Sequence, residues 1–379
     1  MIDGLHLNGT WMNRRALLDR ARENTSERNT PEWEIAFWRF LSDWFDDTDV
    51  MSVQSSGSTG PPKTLCIPKA FFRNSAKMTL EFLRIMPGDR ALLCLSPQYI
   101  AGKMMIVRAL IGGLNLTVSA PQVSAILDYK SYFDFSAMVP TQIQSLLQTP
   151  EGRDRIRTIR MLLIGGSPLS RDLEAQLQDF DNRIYATYGM TETVSHVALR
   201  PLNGPGRSRF YQTLAGVSIR TDENDCLVID APALCDTTIH TRDLVRLVGH
   251  DRLEMIGRLD HIINSGGIKY SPEAIEQKLS PIITDRFILS SLPDPRLGEK
   301  LILIIETEDS EQYRDKQFEA RMKAQLTPYE VPKMVLFLKK FPIVGHDKPA
   351  RKTITREALA QLPWIHHNDA TALFPHRSR

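Results

Sequence analysis

The chain has 379 residues, 42% hydrophobic and 24% charged, an ordinary globular composition with enough apolar material for one large core and a smaller domain. Its formal net charge of +2, without a long run of like charge, gives no argument for nucleic acid or an anionic membrane, so a small-molecule ligand is expected. The four cysteines, Cys66, Cys94, Cys226 and Cys235, lack C-x-x-C or zinc spacing, which argues against a disulfide or metal scaffold and suits a reducing compartment.

No apolar stretch approaches the roughly 18 residues that cross a membrane, and MIDGLHLNGTW lacks the basic-then-apolar pattern of a signal peptide. A cytoplasmic location without membrane insertion is therefore expected.

In chain order, the first conspicuous segment is SSGSTGPPK at residues 55–63. Its glycines let backbone N–H groups approach an anion, its hydroxyls add donors and Lys63 adds a mobile cation, so phosphate is the natural guest. A flexible surface linker fits the same composition. The Walker pattern does not, because Pro61 and Pro62 stand between Gly60 and Lys63. KAFFRNSAKMTLEFLRIM then has helical spacing, PGD turns the chain and RALLCLS reads as a strand. GKMMIVRALIGG reads as a short apolar helix, LNLTVSA and FSAMVP as strands, and TQIQSLLQT as a helix. IRMLLIGG is a buried strand ending in a glycine turn, SRDLEAQLQDF a helix capped by Ser170, and RIYATYG another strand. This alternation predicts an α/β fold with parallel strands, whose ligands lie beyond the strands' carboxyl ends, where GGSP and YGMTET fall.

From about residue 205 the pattern shifts to shorter strands, GVSIRT, CLVID, TTIHT and DLVRLVG, read as a β-rich subdomain over 205–257. The predicted division is 1–257 for the N-terminal domain and 258–379 for a small α+β domain, with a frayed tail after about 363.

Together these segments resemble the adenylate-forming superfamily, which includes acyl-CoA ligases, firefly luciferase and the adenylation domains of peptide synthetases. SSGSTGPPK is similar to that family's phosphate loop, GGSPL to its adenine-side turn, YGMTET to its Y-G-x-T-E signature and IHTRDL to its T-G-D-L. GRLDHIINSGGIKYSPEAIE resembles its hinge, glycine hairpin and following helix, and PIVGHDKPARK its C-terminal lysine segment. The blocks follow family order across residues 55–352.

The resemblance implies a large α/β domain followed by a small mobile one, using ATP, Mg2+ and coenzyme A. Ser56, Gly57, Ser58, Thr59 and Gly60 would wrap the β- and γ-phosphates, and Lys63 would follow the leaving pyrophosphate. Gly165, Gly166 and Ser167, with Tyr188 and Gly189, would face adenine. Glu192 would ligate Mg2+, Thr191 would reach the α-phosphate, and Asp243 and Arg258 would hold the ribose and phosphates. As residue types alone, Glu192 also suits a helix start and Tyr188 a core position. Asp260 is the implied hinge, and Gly266 and Gly267 would flank the pantetheine arm of CoA. Lys348 is the implied catalytic lysine, with Lys340 or Lys352 as fallback. Three positions depart from the pattern: Arg242, Val344 and Asp347.

Only residues 1–54 precede the phosphate loop, which implies a shortened first subdomain. With YIAGKMMIVRALIGG, FSAMVPTQIQSLL and TETVSHVALR, this resembles the o-succinylbenzoate-CoA ligase branch of menaquinone biosynthesis. That substrate has one carboxylate to activate and one to recognise, so Thr141, Ser195, His196 and Arg108 become candidates for the acid pocket, with Gln142 beside Thr141. Arg108 equally suits a structural ion pair, and His196 a satisfied core histidine. Two alternatives stay open: another aryl- or fatty acid-CoA ligase or carrier-loading enzyme, and a non-catalytic nucleotide-binding homologue. Homodimers are frequent in the superfamily, but no surface here is singled out.

Overall fold

The computed structural model describes residues 3–26, 29–54, 64–342 and 351–361. The strands expected to alternate with helices form one parallel run, ordered Arg183–Gly189, Ile159–Ile164, Phe133–Met138, Arg90–Leu93 and Asn115–Val118, and Gly4–Leu7, which the sequence reading did not name, extends it. Neighbouring residues on these strands enter different cores: Leu162 and Ile164 pack on one side of the sheet, Met161 and Leu163 on the other. That two-sided burial is why these strands read as continuous apolar runs.

Two helices matter for the site. Lys69–Leu83 buries Phe72, Ala76, Leu80 and Leu83 at helical spacing and exposes Arg73, Lys77 and Glu81, while Lys69 at its start is buried on Asp46. Ile100–Gly112 is apolar nearly all round and lies inside the molecule, so Arg108 on this helix is carried into the core with it. Gly102 is required in its first turn, because a Cβ there would come within 2.4 Å of the Ser96 carbonyl oxygen.

The later strands do not form a separate sheet. His196–Pro201 pairs antiparallel with Arg183–Gly189, and the ladder continues through Tyr211–Thr213, Arg252–Arg258, Ile239–Val248, Cys226–Asp230 and Ser218–Thr221. TTIHT and DLVRLVG, read from sequence as two strands, belong mostly to one ten-residue strand, Ile239–Val248. Its register shifts between Leu244 and Val245.

After Arg258 the chain builds a five-stranded sheet with its own apolar clusters, one around Leu303 and Phe318 and another around Ile302 and Ile354. The architecture is thus mixed α/β, a large N-terminal domain followed by a smaller C-terminal subdomain.

Candidate active site

The two glycine-bearing turns lie side by side because their strands are parallel neighbours. Gly165 and Gly166 follow Ile159–Ile164, and Gly189 ends Arg183–Gly189. A Cβ on Gly165 would sit 2.0 Å from the Thr187 hydroxyl, and Gly166 takes φ +91°, so both positions demand glycine for different reasons. Ser167 follows them, half-buried.

Tyr188, next to Gly189, donates its hydroxyl to Asp243 Oδ2 at 2.7 Å, and Arg258 Nη1 donates to Asp243 Oδ1 at 3.1 Å. Arg258 Nη2 also reaches Asp260 Oδ2 at 3.0 Å, and Arg242 pairs with the same carboxylate. Burial and the adjoining Asp243 carboxylate hold the Tyr188 phenol well above its ordinary range. Against partial burial, hydrogen bonds from Arg258 and Arg242 hold the Asp260 carboxyl below its ordinary value. Tyr188, Asp243, Arg258 and Asp260 therefore form one connected group, with the tyrosine ring braced edge-on by Tyr211 at 6.1 Å. A carboxylate offers about four acceptor positions, so Asp243 retains capacity for two ribose hydroxyls beside its present partners.

The signature continues as a single turn, Thr191–Thr193, with Thr191 buried and Glu192 exposed. Among the described residues none pairs with the Glu192 carboxylate. A lone free carboxylate fits Mg2+, which binds through one or two carboxylates while substrate phosphates and water complete its shell. No cluster of three or more His, Cys, Asp or Glu occurs among the described residues, so nothing there suggests a dedicated metal cage.

Past the turn, Ser195 Oγ accepts from Arg108 Nη2 at 2.9 Å, joining positions 87 residues apart. Arg108 is only 2% exposed, its Nε finds no partner and no acidic side chain pairs with it among the described residues. Burial pushes its guanidinium down to about 9. His196 lies beside it, sharing a 2.9 Å hydrogen bond between Nε2 and Thr79 Oγ1. Burial first, and then the Arg108 charge, hold its imidazole well below the usual histidine range, so it is neutral. The Ser75 hydroxyl, one helical turn from Thr79, is also buried without a partner among the described residues.

Thr141 is exposed in the first turn of Pro140–Leu147, at the carboxyl end of Phe133–Met138. Gln142 is structural: its amide donates to the Cys94 carbonyl at 2.8 Å and accepts from Val139 N at 3.1 Å, tying two strand ends together. Gly266 and Gly267, with φ +60° and +81°, form the two-residue tip of the hairpin Ile263–Ser265 and Ile268–Tyr270.

Ser56, Gly57, Ser58, Thr59, Gly60, Lys63 and Lys348 lie outside the described residues, as does the tail after 363. The phosphate segment is bracketed by the antiparallel pair Val50–Gln54 and Thr64–Pro68. The sequence reading missed this pair, although VMSVQ alternates buried and exposed residues. It also missed Thr79, which carries no motif signal.

The profile of the AMP-binding enzyme family matches residues 13–232. The chain belongs to that family. It is 29% identical over 287 residues to a probable 2-succinylbenzoate-CoA ligase of Mycobacterium tuberculosis, covering 70% of this chain and 73% of that protein. A feruloyl-CoA synthase of Amycolatopsis is 25% identical over 345 residues, covering 82% and 70%. Among solved structures, an AMP-forming acyl-CoA synthetase/AMP-acid ligase II-like protein from Dyadobacter fermentans is 34% identical with a TM-score of 0.60. The match covers 92% of this chain and 99% of that one. The chain is therefore an adenylate-forming enzyme of acyl-CoA ligase type.

Proposed function

We propose that the acid activated by this ligase is o-succinylbenzoate (2-succinylbenzoate), converted to its CoA thioester through an acyl adenylate. The observation that carries this reading is Arg108, a buried guanidinium with one hydroxyl partner and no carboxylate partner among the described residues. A buried cation is costly until an anion reaches it, and a substrate with a second carboxylate supplies that anion. Ser195 and neutral His196 add a hydroxyl and an imidazole to the same wall, and Thr141 is proposed for the pocket mouth.

In the first half-reaction a carboxylate oxygen of the acid attacks the α-phosphorus of ATP and pyrophosphate leaves. In the second, the CoA thiol, losing its proton, attacks the acyl carbonyl and AMP leaves. Tyr188, Gly189, Gly165, Gly166 and Ser167 are proposed to form the adenine site, and Asp243 with Arg258 the ribose site. Thr191 is proposed at the α-phosphate and Glu192 on Mg2+, which would offset charge on the phosphate oxygens. Lys348, Lys63 and the loop of Ser56 to Gly60 enter on sequence grounds, as does the Gly266–Gly267 hairpin beside the CoA arm. Asp260, held by two arginines, is the proposed hinge between half-reactions.

The likeness to feruloyl-CoA synthase supports a second reading, an aryl acid without a second carboxylate. Pyrophosphate release and CoA-dependent AMP formation across a panel of acids separates the two. Turnover favouring o-succinylbenzoate at least a hundredfold over cinnamates and benzoates is expected. Preference for a monocarboxylate would discard the substrate and keep the ligase.

A further inference from the structure

Val194 stands at φ +65° and ψ −46°, and Ser195 N donates to Thr193 O at 2.7 Å, closing a γ-turn of the rare positive-φ kind. A β-branched residue is the least suited to that conformation, where glycine would sit without strain. The valine is nevertheless fully buried in the main core.

Strain of this sort persists only where the surroundings over-determine it, and here they do on both sides. Thr193 Oγ1 lies 2.7 Å from Ser195 O and 3.2 Å from Met190 N, while Val194 N donates to Thr191 O at 2.9 Å. Gly189 leaves room for the returning chain, since a Cβ there would come within 2.3 Å of Ser195 O. Beyond the turn, Arg108 holds Ser195 and Thr79 holds His196. One residue thus reverses the chain between Thr191 and Glu192 on one arm and Ser195 and His196 on the other.

We propose that Val194 is a specificity-determining positioning residue whose constrained turn sets the acid-binding arm against the phosphate-facing arm, aiming Ser195 at Arg108. This rests on the reading of Arg108 as the anchor of the acid's second carboxylate. In-line attack needs the acid and the α-phosphorus fixed relative to each other, and a residue with a β-carbon, once its surroundings impose this turn, has fewer neighbouring conformations to drift into than glycine.

The test compares V194G, V194A and R108Q in the full chain, reading KM for o-succinylbenzoate, KM for ATP and the thermal midpoint. V194G should raise the acid KM at least tenfold with the ATP KM changed less than threefold. V194A removes most of the same packing but keeps a β-carbon, and its acid KM should move less than threefold. R108Q should raise the acid KM regardless of the turn. If V194G and V194A lower the thermal midpoint alike while the acid KM stays put, Val194 only fills space and the inference is overturned. If R108Q raises the acid KM and V194G does not, the inference falls and the anchor reading stands. An unmoved acid KM in R108Q overturns the anchor reading, and the inference with it. Should V194G fail to fold, T193V removes the hydroxyl clamp instead and must give the same split between the two KM values.

Discussion

At the residue scale, the buried pair Arg108 and His196 gives predictions of opposite sign. Replacing Arg108 by methionine removes a core charge that has no carboxylate partner among the described residues, so R108M should gain about 1–2 kcal/mol in urea unfolding. The same change should abolish stabilisation by o-succinylbenzoate, which at a hundred times its Kd adds about 2.7 kcal/mol to the wild type. A variant that loses stability, or is still stabilised by the acid, would contradict the anchor role. His196 is held neutral in the folded protein, whereas in the unfolded chain it takes a proton below its ordinary value of 6.5. The unfolded state then binds more protons, so stability falls as pH drops below about 6.5. H196Q should flatten the urea midpoint between pH 7 and 5, and an unchanged slope would place the titrating group elsewhere.

At the scale of elements, the parallel strands carry the glycine turns of the proposed ATP side, and a double-mutant cycle tests their closeness. G165A must push against the Thr187 hydroxyl, so it should cost about 1–3 kcal/mol and weaken ATP binding. Removing that hydroxyl in G165A/T187A should recover about 1 kcal/mol relative to additivity. Purely additive costs would mean that the two strand ends are not packed as described. These turns were legible in the sequence because glycine at a strand end is a local signal. The proposed acid side was legible only as a set of candidates. The Arg108–Ser195 contact bridges 87 residues and leaves no periodic trace, and Gln142, which looked like a substrate ligand, is used up tying strand ends. The Val194 turn was invisible because the residue that usually announces positive φ is absent. Ile239–Val248 read as two strands because the charged pair Arg242 and Asp243, which serves Asp260 and the site, interrupts its apolar pattern.

At the scale of the whole molecule, the two sets of cores raise the question of whether they melt together. Arg351 offers a way to load one of them selectively. From the first turn of Arg351–Ala360 it pairs with Glu276, reaches Glu273 Oε1 at 3.1 Å and donates to the Leu289 carbonyl at 2.7 Å. Glu273 also meets His261 Nδ1 at 2.5 Å, one residue from the proposed hinge. Burial opposes ionisation of Glu273, but His261 and Arg351 outweigh it and hold the carboxyl at about 2. Its contribution is therefore complete above the unfolded value of 4.5 and fades as pH falls toward 2. Burial instead raises Glu276, which subtracts from that gain. Removing Arg351 would leave two carboxylates mostly buried without their cation, a loss of about 3–5 kcal/mol. All of this falls within the C-terminal subdomain, whose apolar clusters share no residue with the N-terminal ones. We expect R351M to split calorimetric unfolding into two transitions, with the lower one alone shifted down and the upper one still raised by ATP and Mg2+. A single transition displaced as a unit would mean that the contacts around Arg258, Asp260 and Ser271 couple the two parts, and that the proposed division at residue 258 is not one of independent folding.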